Sequence, residues 1–131
     1  CKVARTASAE EKAKIVRVIS GHPLAPDLSG DLQIFDAKGC PECGHPGYKG
    51  RQGVFEAIKV DEAVEEAVIR DPREHVILEA ATPQGIPTMA EDGMDKVLQG
   101  VTSLAELERV VDLTLVRKSP SSAAIHDTAQ E

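Results

Sequence analysis

The chain has 131 residues and a formal net charge of −7, from 22 acidic and 15 basic side chains. That length supports one domain with a core that needs no covalent staples. The core must be aliphatic, because Phe35, Phe55 and Tyr48 are the only aromatic residues. The acidic balance disfavours broad binding to nucleic-acid phosphates. No run of about 20 apolar residues is present to span a bilayer, and the opening residues do not read as a secretory signal peptide. The first residue is Cys1 rather than Met, so further sequence is expected upstream.

Ser8-Ala9-Glu10-Glu11 has the S-x-x-E form of a capping box, and Ala13, Val16 and Ile19 follow at helical spacing, which predicts a helix over 9–20. Gly21-His22-Pro23 stops it, and a loop runs to Gly30. Leu32 to Asp36 reads as a short strand. Five glycines between Gly39 and Gly53 demand irregular backbone. Gln52 to Val60 then alternates as a strand, with Val54, Glu56, Ile58 and Val60 on one face and Phe55 and Ala57 on the other. Asp61 is a natural N-cap for a helix whose apolar stripe is Ala63, Val64, Ala67 and Val68. Asp71-Pro72 is expected to restart the helix, with Asp71 as N-cap. Its acidic residues, from Asp61 to Glu79, read as a solvated face. Thr88-Met89-Ala90-Glu91 and Ser103-Leu104-Ala105-Glu106 are two more capping boxes, with Gly100 placed as a C′ residue between their helices. The Ser, Ala and Thr-rich stretch 117–131 is expected to be a disordered tail. The fold class is therefore α+β, a small subdomain with a short β-hairpin or sheet followed by a cluster of α-helices. The expected division is 1–60 for a zinc-binding subdomain, 61–116 for a helical one and 117–131 for the tail.

Cys40-Pro41-Glu42-Cys43-Gly44 carries the strongest chemical signal. Two cysteines separated by two residues can place both sulfurs on one tetrahedral ion, at about 2.3 Å each. The turn after the second cysteine often needs positive φ, which Gly44 supplies without steric cost. A structural zinc site needs four ligands. Cys1 is a third candidate, carried back across a hairpin-like excursion, and the metal site of this sequence is read as Cys1, Cys40 and Cys43. His45 stands too near Cys43 to chelate the same ion easily, and His22, His75 and His126 read as surface residues. Two other readings of the pair stay open: a redox dithiol, which usually opens a helix after a strand, and two inert loop thiols.

The segment GCPECGHPGYKGRQGVFE, from Gly39 to Glu56, resembles the tetracysteine region of the type II secretion and type IV pilus assembly ATPases. In that family the second C-x-x-C is typically followed by G-Y-(K/R)-G-R-x-G and a strand. Gly47, Tyr48, Lys49, Gly50, Arg51 and Gly53 match it. EDGMDKVLQGVTSLAELERV, Glu91 to Val110, resembles the family's closing helices, written E-D-G-x-x-K-V-x-x-G-x-T-(S/T). Ala90 departs from the basic residue usual at its position. The resemblance covers about residues 39–113. It implies that Cys1-Lys2 ends the first C-x-x-C, so that the fourth zinc ligand sits three residues before Cys1. It also implies that the phosphate loop, the acidic Walker B segment and the histidine box lie upstream. No G-x-x-x-x-G-K-(S/T) occurs in this sequence, and this stretch alone is not expected to hydrolyse ATP.

The resemblance implies the C-terminal, zinc-binding and helical part of a hexameric motor at the cytoplasmic face of the bacterial inner membrane. That motor powers pilus or pseudopilus assembly, or secretion, through an inner-membrane platform protein. Zinc would be structural, bound weakly by three cysteines with water completing the site; ATP and magnesium would belong to the parent protein. The alternative is a stand-alone zinc-ribbon interaction module, with Lys38, Lys49, Arg51 and Lys59 bracketing the cysteine loop. A redox protein using Cys40 and Cys43 is the third reading. Net charge and the scarcity of aromatic residues speak against a nucleic-acid partner.

Overall fold

The structure is a computed structural model that describes residues 1–22 and 25–114; the expected tail at 117–131 lies outside them. Two strands and five helices follow in chain order: β1 (Lys2–Thr6), α1 (Ala9–Ile19), β2 (Gln33–Ala37), α2 (Glu62–Arg70), α3 (Glu74–Ala81), α4 (Met89–Leu98) and α5 (Leu104–Val110). Short 3-10 turns occupy Pro41–Cys43 and Thr82–Gln84. The fold class is α+β, as the sequence predicts.

β1 and β2 pair antiparallel in register Lys2↔Ala37 through Thr6↔Gln33. β2 is the predicted strand, shifted by one residue. β1 was not foreseen, because its residues are exposed except for half-buried Arg5 and so carry no inward apolar alternation. Pairing alone defines it. Arg5 then ties three elements together. Its guanidinium donates to both carboxylate oxygens of Glu11 on α1, at 2.7 and 2.8 Å, and to Asp36 on β2 at 2.5 Å.

The N-caps at Ser8, Asp61, Thr88 and Ser103 form where the sequence places them. Ser8 and Glu11 make both halves of a capping box, as do Thr88 and Glu91. At Ser103 only the first half forms, the hydroxyl accepting from Glu106 N–H at 3.2 Å. The Glu106 carboxylate is engaged by Arg109 instead. Gly100 has φ +69 and closes α4 in a Schellman motif: its N–H donates to Val97 C=O at 3.0 Å, and Val101 N–H to Lys96 C=O at 2.9 Å.

Ile15, Val18 and Ile19 of α1, Ile34 of β2, Ala90, Met94 and Val97 of α4, and Leu104 and Leu107 of α5 form one buried cluster, extended by Val111 and Leu113. The cluster draws on both sides of position 60. α1 presents a rotated face relative to the expected stripe, because Ala13 and Val16 are exposed while Ile15 and Val18 point inward. α2 and α3 pack on each other outside this cluster, burying only Val64, Ala67 and Ala81. Ala63 and Val68, expected in the buried stripe, are exposed.

Two further expectations are corrected. Asp71 does not cap α3; its carboxylate accepts from the Arg73 backbone and side chain, at 3.3 and 2.8 Å. The helix accordingly begins two residues later, with Arg73 as N-cap. Residues 52–60 form no paired strand among the described residues, where the one sheet is the β1–β2 pair.

Candidate metal centre

The β1–β2 ladder builds the site. Its register sets Lys38 N–H against Cys1 C=O at 2.6 Å, so Cys1 returns beside the C-x-x-C with its Cα 6.1 Å from that of Cys40. The pair itself lies on the 3-10 turn Pro41–Cys43. Gly44 closes that turn at φ +70, the left-handed conformation its place after the second cysteine suggested. His45 continues at φ +76, and His45 N–H donates to Cys40 C=O at 2.9 Å. Gly39 is required for a different reason: a Cβ there would lie 1.8 Å from the His45 carbonyl oxygen. Its only signal in the sequence is its place within the glycine-rich run.

The sulfurs of Cys1, Cys40 and Cys43 lie within 4.8 Å of one another. Cys1 and Cys40 are joined as a disulfide, and Cys43 is free with its sulfur 3.4 Å from that of Cys1. The backbone N–H groups of Cys40 and Gly47 each donate to Cys43 Sγ at 3.3 Å. These donors, with the Cys40 amide the stronger, hold the Cys43 thiol below its ordinary value and favour the thiolate, the form that ligates metal. Sulfurs at tetrahedral corners around zinc stand about 3.8 Å apart, given a Zn–S bond of about 2.3 Å. With the Cys1–Cys40 bond reduced, three thiolates gathered within 4.8 Å of one another can take three corners of such a site. A disulfide accounts for two of them, whereas a soft divalent ion accounts for all three. The redox reading places its bond between Cys40 and Cys43, and the bond here joins Cys1 to Cys40. No histidine joins the cluster among the described residues. His45 and His75 are exposed, His22 is half-buried rather than on the surface, and His126 lies outside the described residues.

The cluster is anchored to the helices by two contacts that sequence patterns do not announce. Tyr48 Oη and Ser103 Oγ share a hydrogen bond of 2.5 Å, which links the glycine-rich run to the N-cap of α5. Lys2 Nζ donates to Gly100 C=O at 3.1 Å and stands 4.7 Å from the centre of the Phe35 ring. Between these anchors an open cleft of about 890 Å³ is lined by Lys49, Arg51, Val101, Arg109 and Val110 among others. The Tyr of G-Y-(K/R)-G-R and the Ser of the T-(S/T) pair thus meet in space.

The sequence profile described as Type II/IV secretion system protein matches residues 3–109. The chain belongs to that family. It is 38% identical over 110 residues to the type II secretion system protein E of Aeromonas hydrophila, an alignment covering 84% of this chain and 20% of that protein. It is 42% identical over 79 residues to the type II secretion system ATPase E of Vibrio cholerae, covering 60% of this chain and 16% of the relative. Against the type IV pilus assembly ATPase PilB of Thermus thermophilus the identity is 37% over 75 residues, 57% of this chain and 8% of that protein. The chain thus spans a fifth or less of the length of these relatives. The family match includes Cys40, Cys43, Tyr48 and Ser103 and begins after Cys1. Among the described residues no helix is long and apolar enough to cross a membrane.

Proposed function

We propose that this chain is the C-terminal, zinc-binding and helical portion of a secretion or pilus-assembly motor ATPase, with a structural or coupling role. The observation that carries the reading is the convergence of Cys1, Cys40 and Cys43 on one point, with Cys40 and Cys43 inside the segment that the family match covers. The metal ligands on this reading are those three cysteines, and the ion is zinc. Structural zinc contributes on the order of 10 kcal/mol to folding when its site is complete. It would fix the knuckle that Tyr48 holds against α5, and make one rigid body of the cysteine loop and the closing helices. Residues 1–60 then serve as the zinc-binding part and 61–116 as the helical part of the motor's end. The remainder of the reading rests on the resemblance to the secretion and pilus-assembly motors: a homo-hexamer at the cytoplasmic face of the inner membrane, acting through a platform protein, with ATP and magnesium bound upstream.

The reading is tested by ATP turnover. The 131-residue chain alone is expected to release no phosphate from ATP, because it has no phosphate loop. The longer protein carrying the upstream sequence is expected to hydrolyse ATP, and to lose most of that activity on Cys43→Ser. Turnover by the short chain, or unchanged turnover in the Cys43→Ser protein, would overturn the assignment.

A further inference from the structure

The cleft between the glycine-rich run and α5 has a charge that the chain as a whole does not. The protein carries −7 overall, yet the side chains lining the cleft that are left without a counter-charge are positive. Asp36 is engaged by Arg5, Lys96 by Asp92, and Glu106 by Arg109. Lys49 and Arg51 line the opening and make no hydrogen bond or ion pair among the described residues. Lys2 has no carboxylate partner there either; its ammonium rests on Gly100 C=O and over the Phe35 ring. Gly100 makes that seat possible, since a Cβ there would stand 2.6 Å from the Phe35 ring and 3.1 Å from Lys2 Nζ. A single exposed ion pair contributes little, but charges of one sign on the walls of a cleft focus their field into it.

The same opening exposes apolar surface. Val101 is 50% exposed and Val110 57% exposed, and Tyr48 adds a ring whose hydroxyl is held by Ser103. Cations without partners beside exposed apolar side chains, in a concavity of about 890 Å³, suit carboxylates and an apolar side chain presented together on one peptide. We propose that this cleft docks a short acidic segment of another protein. Its Asp or Glu carboxylates meet Lys2, Lys49 and Arg51, and a bulky apolar side chain lies against Val101 and Val110. A bilayer is the poorer occupant, because a flat surface does not enter a cleft and an anionic leaflet repels a chain of net charge −7. The proposal stands on the cleft alone and is independent of the motor reading.

A displayed library of random peptides, selected on the 131-residue chain and counter-selected on its Lys49→Glu/Arg51→Glu variant, tests the proposal. Both side chains are exposed and without partners among the described residues, so this variant is expected to keep the unfolding midpoint. The expected result is enrichment of peptides that combine Asp or Glu with Leu, Ile or Phe. One such peptide, followed by fluorescence anisotropy in about 0.1 M salt, should bind at least about 10-fold more weakly to the variant and lose affinity as salt rises. Lys59→Glu/Arg70→Glu makes the same change in net charge outside the cleft and should leave the affinity within about 2-fold, because distant charges are screened. No enrichment, enrichment of peptides without acidic residues, or equal loss in the two double variants would overturn the proposal. So would a selected peptide that binds the 131-residue chain but not the longer protein, which would mean that the remainder of the protein fills the cleft. Binding of phosphatidylglycerol vesicles in place of any peptide, lost on Lys49→Glu/Arg51→Glu, would make a membrane the occupant and overturn it as well.

Discussion

Around Ile34 the inward apolar side chains of α1, α4 and α5 are almost wholly shielded, Ile15, Met94 and Val97 completely so, whereas between Phe55 and Ile69 the large apolar residues Phe55, Val60, Val68 and Ile69 face water, Ile69 at 85% exposure. Both regions have well-formed helix caps and sensible amphipathic patterns. They differ in where the covering surface comes from. The first region closes on itself: the Arg5 bridge, the capping boxes and the Tyr48–Ser103 bond each tie into α1, β2, α4 or the N-cap of α5, the elements that pack on one cluster. The second region meets the side chains of Asp92 and Gln84 at Phe55 and Lys59, and Val54, Glu56 and Ile58 have no backbone partner among the described residues. A capped, amphipathic pattern therefore shows that an element forms. It does not show that its apolar face is covered within the same chain.

The largest expected effect lies in the self-contained region. Leu107→Ala removes a side chain only 2% exposed in the main cluster and is expected to cost about 2–5 kcal/mol, read as a fall in the midpoint of chemical unfolding. A loss under 1 kcal/mol would mean that the cluster is not the core. A smaller effect concerns the Arg5 bridge. The Arg5 guanidinium, then the Ser8 amide, holds the Glu11 carboxyl at about 2, against an ordinary value of 4.5. A depressed carboxylate stabilises the fold above its unfolded value and loses that contribution as pH falls toward its folded value. Stability should thus decline between pH 4.5 and about 2, and Glu11→Gln should flatten that part of the profile while lowering stability near neutrality. An unchanged acid limb would remove Arg5 and Glu11 from the account. The smallest effect belongs to the open region. Ile69→Ala in the 131-residue chain should shift stability by less than about 0.5 kcal/mol, because its side chain is already in water. A loss comparable with that of Leu107→Ala would erase the contrast between the two regions.

The parts legible in the sequence are those fixed by local chemistry. The caps at Ser8, Asp61, Thr88 and Ser103 and the left-handed turns at Gly44 and Gly100 follow from short patterns whose physics is complete within a few residues. Cys1 was legible because the C-x-x-C needs more ligands than it supplies. What the sequence hid is set by distant partners. β1 has no inward face and exists because β2 is beside it. Asp71 is captured by Arg73 before it can cap α3. The inward face of α1 is chosen by α4, which selects Ile15 and Val18 over Ala13 and Val16. Residues 52–60 have strand chemistry but find no strand here, and Tyr48 and Ser103 lie 55 residues apart before folding joins them.

The central claim, that three cysteines form a structural metal site, is tested most directly by measuring zinc and reactive thiols on one sample of the chain purified under reducing conditions. The account predicts zinc bound to the chain, thiols that react slowly until a chelator is added, and at least about 100-fold weaker zinc binding on Cys43→Ser. Metal-free protein holding a stable Cys1–Cys40 disulfide and one freely reactive thiol at Cys43, under the same conditions, would contradict it.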